Sequence, residues 1–139
     1  MSDFSIHLKS LTKNDWQKLF SLQHEIENAE KFGKLRGFEK LPDGSNHFPL
    51  WTWEEITSRF FRIVHELGII PVFDWTSWVE GKLIIENKNQ DYTILDVETL
   101  CKLLTMIIRA DRFNDGFLIV NLVNGTIIKI IKALQTKIQ

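Results

Sequence analysis

The chain has 139 residues, of which 44% are apolar and 25% charged, and its formal net charge is −1. These proportions are typical of one globular domain over residues 1–139, and they exclude collagen-like, disordered and coiled-coil chains. No apolar run approaches the roughly 20 residues of a membrane span, and residues 1–20 carry no signal-peptide pattern. The lone Cys101 excludes an intramolecular disulfide. We therefore expect a cytoplasmic protein away from membranes.

Apolar residues recur at helical spacing from Leu11 to Glu30, and Thr12 with Asp15 forms a capping-box pattern at the start. Residues 33–51 then break the periodicity with glycine and proline. This pattern predicts an irregular connection, with room for a short hairpin around the tight turn at residues 42–45.

The clearest helical signal follows Thr52, which together with Glu55 has the spacing of a second capping box. Apolar residues then line one helical face as far as Leu67, and Gly68 is a typical stop. We expect this helix to be central. Residues 69–78 are a short apolar run interrupted by proline, which predicts an extended segment.

Asp96 is a good helix cap, and leucine and isoleucine follow it at helical spacing up to the polar stretch 111–116. Residues 117–131 are ambiguous. β-Branched residues on both sides of Asn124–Gly125 are typical of a β-hairpin, but isoleucines beyond Gly125 also recur at helical spacing. From the residues alone we therefore predict a mainly α domain of about five helices, or an α+β domain with a C-terminal hairpin at 117–131.

The sequence offers little support for catalysis by metals, cofactors or nucleophiles. The four histidines lack the spacing of metal ligands on one helix, and no phosphate-binding glycine motif occurs. Cys101 lies in a leucine-rich helix, where a buried, inert thiol is the simpler interpretation. We therefore expect no cofactor, no metal and no catalytic residue of these kinds.

The first candidate site is the run at residues 73–78, where Asp74 lies among Phe73, Trp75 and Trp78. Large aromatic rings beside a carboxylate can form a shallow platform that stacks on a ligand and accepts a hydrogen bond. The alternative is that the tryptophans pack on the core and Asp74 caps the turn that follows.

The second candidate site is the charged run at residues 109–116, which holds Arg109, Asp111, Arg112 and Asp115. The two guanidinium groups can share a helix face and bind an anionic ligand. The alternative is that the arginines form ion pairs with Asp74, Asp111 or Asp115 and so fix the connection between two helices.

These two runs also carry a resemblance to a known family. The patterns Phe-Asp-Trp-x-x-Trp at 73–78 and Arg-x-Asp-Arg-Phe-x-x-Gly at 109–116 resemble those of a family of small bacterial proteins that is described only as a domain of unknown function. The likeness runs from about Phe48 to Leu134. It implies a largely helical domain with Gly125 between two short helices, and it implies no activity, cofactor or catalytic residue.

The leading hypothesis is a non-enzymatic binding module that engages an unknown protein or a small anionic ligand through Asp74, Trp75, Trp78, Arg109, Asp111, Arg112 and Asp115. The alternative is a small enzyme for an anionic, nucleotide-like substrate, with Asp74 or Asp111 as acid or base and the arginines as clamp. A third hypothesis is weak nucleic-acid binding, because residues 102–139 carry a net charge of +4 against −5 for residues 1–101. Three solvated lysines, Lys129, Lys132 and Lys137, explain that asymmetry more simply. The many aromatic residues also leave room for a homodimer.

Overall fold

The computed structural model describes residues 2–37, 40–45 and 50–138, and it is mainly helical. The fold class predicted from the sequence is therefore confirmed. The α-helices and the strands have the following bounds: α1 (Asp3–Ser10), α2 (Lys13–Phe20), α3 (Gln23–Asn28), β1 (Gly33–Arg36), β2 (Leu50–Trp53), α4 (Glu55–Glu66), α5 (Val79–Glu86), α6 (Val97–Ala110), α7 (Phe117–Val123) and α8 (Thr126–Ile138). The helices are shorter and more numerous than the five we expected.

The N-terminal periodicity is divided between two helices instead of one. The predicted capping box is present at the start of α2, where Thr12 accepts from the backbone of Asp15 and the Asp15 carboxylate accepts from the backbone of Thr12. A tight turn around Ser21 then separates α2 from α3. The sequence analysis missed α1, which buries only Leu8 and so leaves almost no apolar pattern.

Strands β1 and β2 pair antiparallel, with Gly33 opposite Trp53 and Arg36 opposite Leu50. An antiparallel strand pair is therefore present in this region, but its strands are joined by the long connection 37–49 and do not form the short hairpin considered around the turn at 42–45; part of that connection lies outside the described residues. The predicted capping box at Thr52 is wrong. Thr52 belongs to β2 and its hydroxyl donates to the Lys34 carbonyl, so that α4 begins only at Glu55. Gly68 ends that helix as predicted, with a left-handed φ of 68°.

The segment 69–78, predicted to be extended, contains one turn of 3₁₀-helix at Trp75–Ser77. Helix α5 follows it directly, and a second 3₁₀ turn occupies Tyr92–Ile94. Helix α5 was missed because it is short and lies on the surface, where Val79 and Leu83 are exposed.

The central helix is α6, not α4. It buries Leu100, Cys101 and every residue from Leu103 to Ile108, and it packs against α1, α5, α7 and α8. Asp96 caps it as predicted by accepting from the Thr99 backbone at 2.8 Å. Cys101 is fully buried, and this burial raises the pKa of its thiol, as expected for an inert packing residue.

The C-terminal ambiguity is resolved in favour of two helices, and the alternative hairpin at 117–131 is wrong. Gly125 separates α7 from α8 with a left-handed φ of 87°. Helix α8 packs against α2, α3, α6 and α7 and buries Ile127, Ile130 and Ile131, whereas Ile128 is only partly buried.

In the part of the chain that the structure describes, no single helix is long and apolar enough to cross a membrane. Helices α7 and α8 have that length and composition only when taken together, and they meet at a bend of 67°.

Candidate functional site

Asp74 directly precedes the 3₁₀ turn at Trp75–Ser77 and its side chain bonds within that turn, but it does not cap a backbone N–H as the structural alternative expected. Its carboxylate accepts a hydrogen bond from the Thr76 hydroxyl at 2.8 Å. Hydrogen bonds from Thr76 and then from Ser77 hold the pKa of Asp74 below its usual range. The carboxylate therefore stays ionised at neutral pH and is poorly suited to act as a general acid or base.

Trp78 packs within its own segment and against the first turn of α5. A methyl group added at Gly81 would lie 2.3 Å from an indole carbon of Trp78, so the ring needs the space that this glycine leaves. The Phe73 ring meets Trp78 edge-on at 5.6 Å. Trp78 is therefore half-buried and contributes mainly to packing.

Trp75 connects the two candidate runs. Its indole lies 6.1 Å from the ring of Phe113, which is 83% exposed. Residues 73–78 and 109–116 are thus neighbours on the surface. A contact of this kind cannot be inferred from sequence spacing, because the two runs are far apart in the chain.

Both aspartates of the second run bind backbone N–H groups. Asp111 accepts from the backbone of Leu118 at 2.9 Å, which caps the start of α7. Asp115 accepts from the backbone of Trp51 at 2.8 Å, which fastens β2 to this loop. The alternative in which the arginines pair with Asp74, Asp111 or Asp115 is wrong, because no such ion pair occurs among the described residues.

Arg109 and Arg112 instead line one pocket of about 280 Å³, together with Trp53, Phe61, Ile108 and Asp111. Among the described residues, neither guanidinium lies within 4.0 Å of a carboxylate. Asp74, Trp75, Trp78 and Asp115 do not line this pocket. The structure therefore brings together three of the seven candidate residues in one concavity.

The aromatic side of this pocket was missed by the sequence analysis. The rings of Trp53 and Phe61 lie 5.1 Å apart, and Phe61 lies 4.2 Å from His65. Phe61 is adjacent in sequence to the buried Phe60 and so lies off the core face of α4. The position of Phe61 off the core face was the available signal, but it gave no indication that Arg109 of α6 and Arg112 of the following turn would line the same pocket.

The pocket combines two guanidinium groups, two aromatic rings and the Asp111 carboxylate. A guanidinium group donates paired hydrogen bonds that match a carboxylate or a phosphate, and aromatic faces stack on flat groups. Within the described ranges, no group of three or more histidine, cysteine or acidic side chains could hold a metal ion.

Comparison with known proteins gives one match. The model of a family of unknown function (DUF6508) matches residues 11–139, and the chain belongs to this family. The match extends further towards the N-terminus than the likeness noted in the sequence, because it includes α2 and α3. No curated protein and no solved structure matches the chain.

Proposed function

We propose that this member of a family of unknown function is a non-enzymatic binding module, and that it takes a small anionic ligand in the pocket of Arg109, Arg112, Trp53 and Phe61. The observation that carries the proposal is the convergence of two arginines, neither with an acidic partner among the described residues, on one concavity with an aromatic side. An arginine in the last turn of a helix also interacts favourably with the negative end of the helix dipole. That interaction accounts for one arginine at the end of α6, but it does not account for a second arginine in the same pocket.

The size of the pocket limits the ligand. About 280 Å³ lies just below the range for small-molecule sites, which is roughly 300–1,000 Å³. A carboxylate or phosphate attached to one flat ring fits this description. Phe113 follows Arg112 in the chain, is exposed, and contacts Trp75, so we expect these two rings to be available to a larger portion of a ligand.

The enzymatic alternative for a nucleotide-like substrate has less support. Asp74 does not line the pocket, and Asp111 lines it with one carboxylate oxygen bound to the backbone of Leu118. The third hypothesis, binding of nucleic acid through the lysines of α8, also has less support, because Lys132 pairs with Glu27 at 3.5 Å.

Calorimetric titration with benzoate and phenyl phosphate tests the proposal. We expect saturable binding to the parent chain and a loss of about tenfold or more in affinity for Arg109→Gln and for Arg112→Gln, because a hydrogen bond to a charged group contributes about 1.5–3 kcal/mol. Arg62→Gln is the matched control, since Arg62 is exposed on α4 and pairs with Glu66 at 3.9 Å. Equal affinity in all three variants, or no binding of either probe, would contradict the proposal.

A further inference from the structure

A second and larger pocket lies between the end of α5, the 3₁₀ turn at Tyr92–Ile94, α7 and α8. Its volume is about 450 Å³, and it shares no lining residue with the arginine pocket. Ile85, Phe117 and Val120 give it apolar sides. Its buried polar groups are Tyr92, Asn121 and Thr126, whose exposed fractions are 6%, 2% and 9%.

Asn121 leaves an acceptor unused at this pocket. Its side-chain amide donates to the Phe117 carbonyl at 2.9 Å, and no group among the described residues donates to its Oδ1. The only side-chain nitrogen or oxygen in the described ranges that is wholly shut off from solvent and unpartnered is Arg59 Nε. The Oδ1 of Asn121 is therefore not wholly shut off from solvent, and Asn121 is one of the residues that line the pocket.

The hydroxyl groups of Tyr92 and Thr126 also lack a hydrogen-bond partner within the part of the chain that the structure describes, although the backbone N–H of Thr126 donates to Asn124 at 3.0 Å. Burial raises the pKa of Tyr92, so its hydroxyl stays protonated and can donate. Three side chains that are at least nine-tenths buried thus line one space with polar atoms that no described protein group satisfies, so water or a ligand must bind them.

The buried groups indicate the chemistry of the occupant. They offer donors and an acceptor but carry no charge, so a charge on the buried part of a ligand would lose its hydration without compensation. Lysines occur only as exposed residues of the lining, at Lys88 and Lys129, beside the acidic Glu86. The buried part of the ligand is therefore neutral, with a donor beside an acceptor and an apolar body.

We propose that this pocket is a second binding site, for a small uncharged molecule that presents an amide-like edge to Tyr92, Asn121 and Thr126 and an apolar body to Phe117 and Val120. An amide N–H would donate to Asn121 Oδ1, and its carbonyl would accept from the Tyr92 hydroxyl. This site is independent of the arginine pocket, which is proposed for anions and shares no lining residue with it.

Binding of benzamide to the full chain, followed by NMR chemical shifts, tests the proposal with benzoate as the charged analogue of the same shape. We expect benzamide to bind and to shift the amide resonances of Asn121 and Thr126. We expect Tyr92→Phe and Thr126→Val each to weaken this binding by about three- to tenfold, with the melting temperature unchanged, because neither hydroxyl has a protein partner. Arg112→Gln should leave benzamide binding intact and weaken benzoate binding.

Three results would overturn the proposal. The first is the absence of benzamide binding, which would mean that water alone fills the pocket. The second is an equal affinity of Tyr92→Phe and the parent for benzamide. The third is that benzamide shifts the resonances of residues at the arginine pocket instead. Because benzoate reports on Arg109 and Arg112 while benzamide reports on Tyr92, failure at one site is distinguishable from failure at the other.

Discussion

Asp111 and Arg112 of the 109–116 run are expected to have different roles, one in stabilising the fold and one in binding a ligand, and comparing Asp111→Ala with Arg112→Ala tests this difference. The two residues are adjacent and oppositely charged, and both line the arginine pocket. Asp111 binds the backbone of Leu118, whereas Arg112 has no carboxylate partner among the described residues. We therefore expect the aspartate to stabilise the fold and the arginine to contribute almost nothing to it.

The magnitudes follow from these contacts. Loss of a side chain that caps a helix costs about 0.5–2 kcal/mol, and an N–H left partly buried without a partner costs about 1–3 kcal/mol. We expect Asp111→Ala to lower the free energy of unfolding by about 1–2 kcal/mol, because the Leu118 N–H is only partly buried. Arg112→Ala should stay within about 0.5 kcal/mol of the parent, as for other exposed substitutions.

Urea unfolding followed by tryptophan fluorescence measures both changes in the free energy of unfolding. If the dependence of that free energy on urea concentration is the same in the variants as in the parent, the transition stays two-state. Asp111→Asn is the matched variant, since its amide oxygen can still accept from Leu118, and we expect it to recover most of the loss. If Arg112→Ala were as destabilised as Asp111→Ala, or destabilised by the roughly 3–5 kcal/mol typical of a broken buried ion pair, Arg112 would be a structural residue and the proposed ligand site would lose its main support.

Two further predictions concern packing and pH. Alanine in place of a helical glycine ordinarily stabilises a protein by about 0.5–1 kcal/mol. In thermal melts, however, Gly81→Ala should destabilise the fold by about 1–3 kcal/mol, because its methyl group would lie 2.3 Å from the Trp78 ring. A stabilised variant would mean that the indole moves away freely. Hydrogen bonds from the side chain and backbone of Thr99 hold the pKa of Asp96 below its usual range, so its stabilising contribution is complete above about pH 4 and is lost as the pH falls further. Between about pH 5 and pH 3, Asp96→Asn should therefore lose less stability than the parent in urea titrations, and identical pH dependence would contradict the assignment.

The features that the sequence predicted correctly are local ones. The caps at Thr12 and Asp96 and the stop at Gly68 each depend on a few neighbouring residues, and all three are present. The capping box at Thr52 failed because strand pairing with Lys34, an interaction across the strand pair, takes the threonine hydroxyl instead. Local patterns therefore predict helix ends well until a partner elsewhere in the chain competes for the same group.

The candidate site shows the same limit. The charged run at 109–116 could be recognised from its composition, but the roles of its members depend on distant backbone. Asp115 is occupied by the N–H of Trp51, and the arginines face rings that come from Trp53 and Phe61. Spacing along the chain contains no information on which of the charged groups would be satisfied by the main chain and which would remain available to a ligand.

The position of α8 has a consequence for how the protein is made. Helices α2 and α3, near the start of the chain, pack against α8, which is formed by the last residues that the structure describes. During synthesis, the buried faces of α2 and α3, which hold Trp16, Leu19 and Ile26, can therefore be covered completely only after α8 has emerged, although α2 also packs against the earlier α4. Until then these apolar faces are available to chaperones or to incorrect partners, so folding on the ribosome should be late and concerted instead of stepwise from the N-terminus.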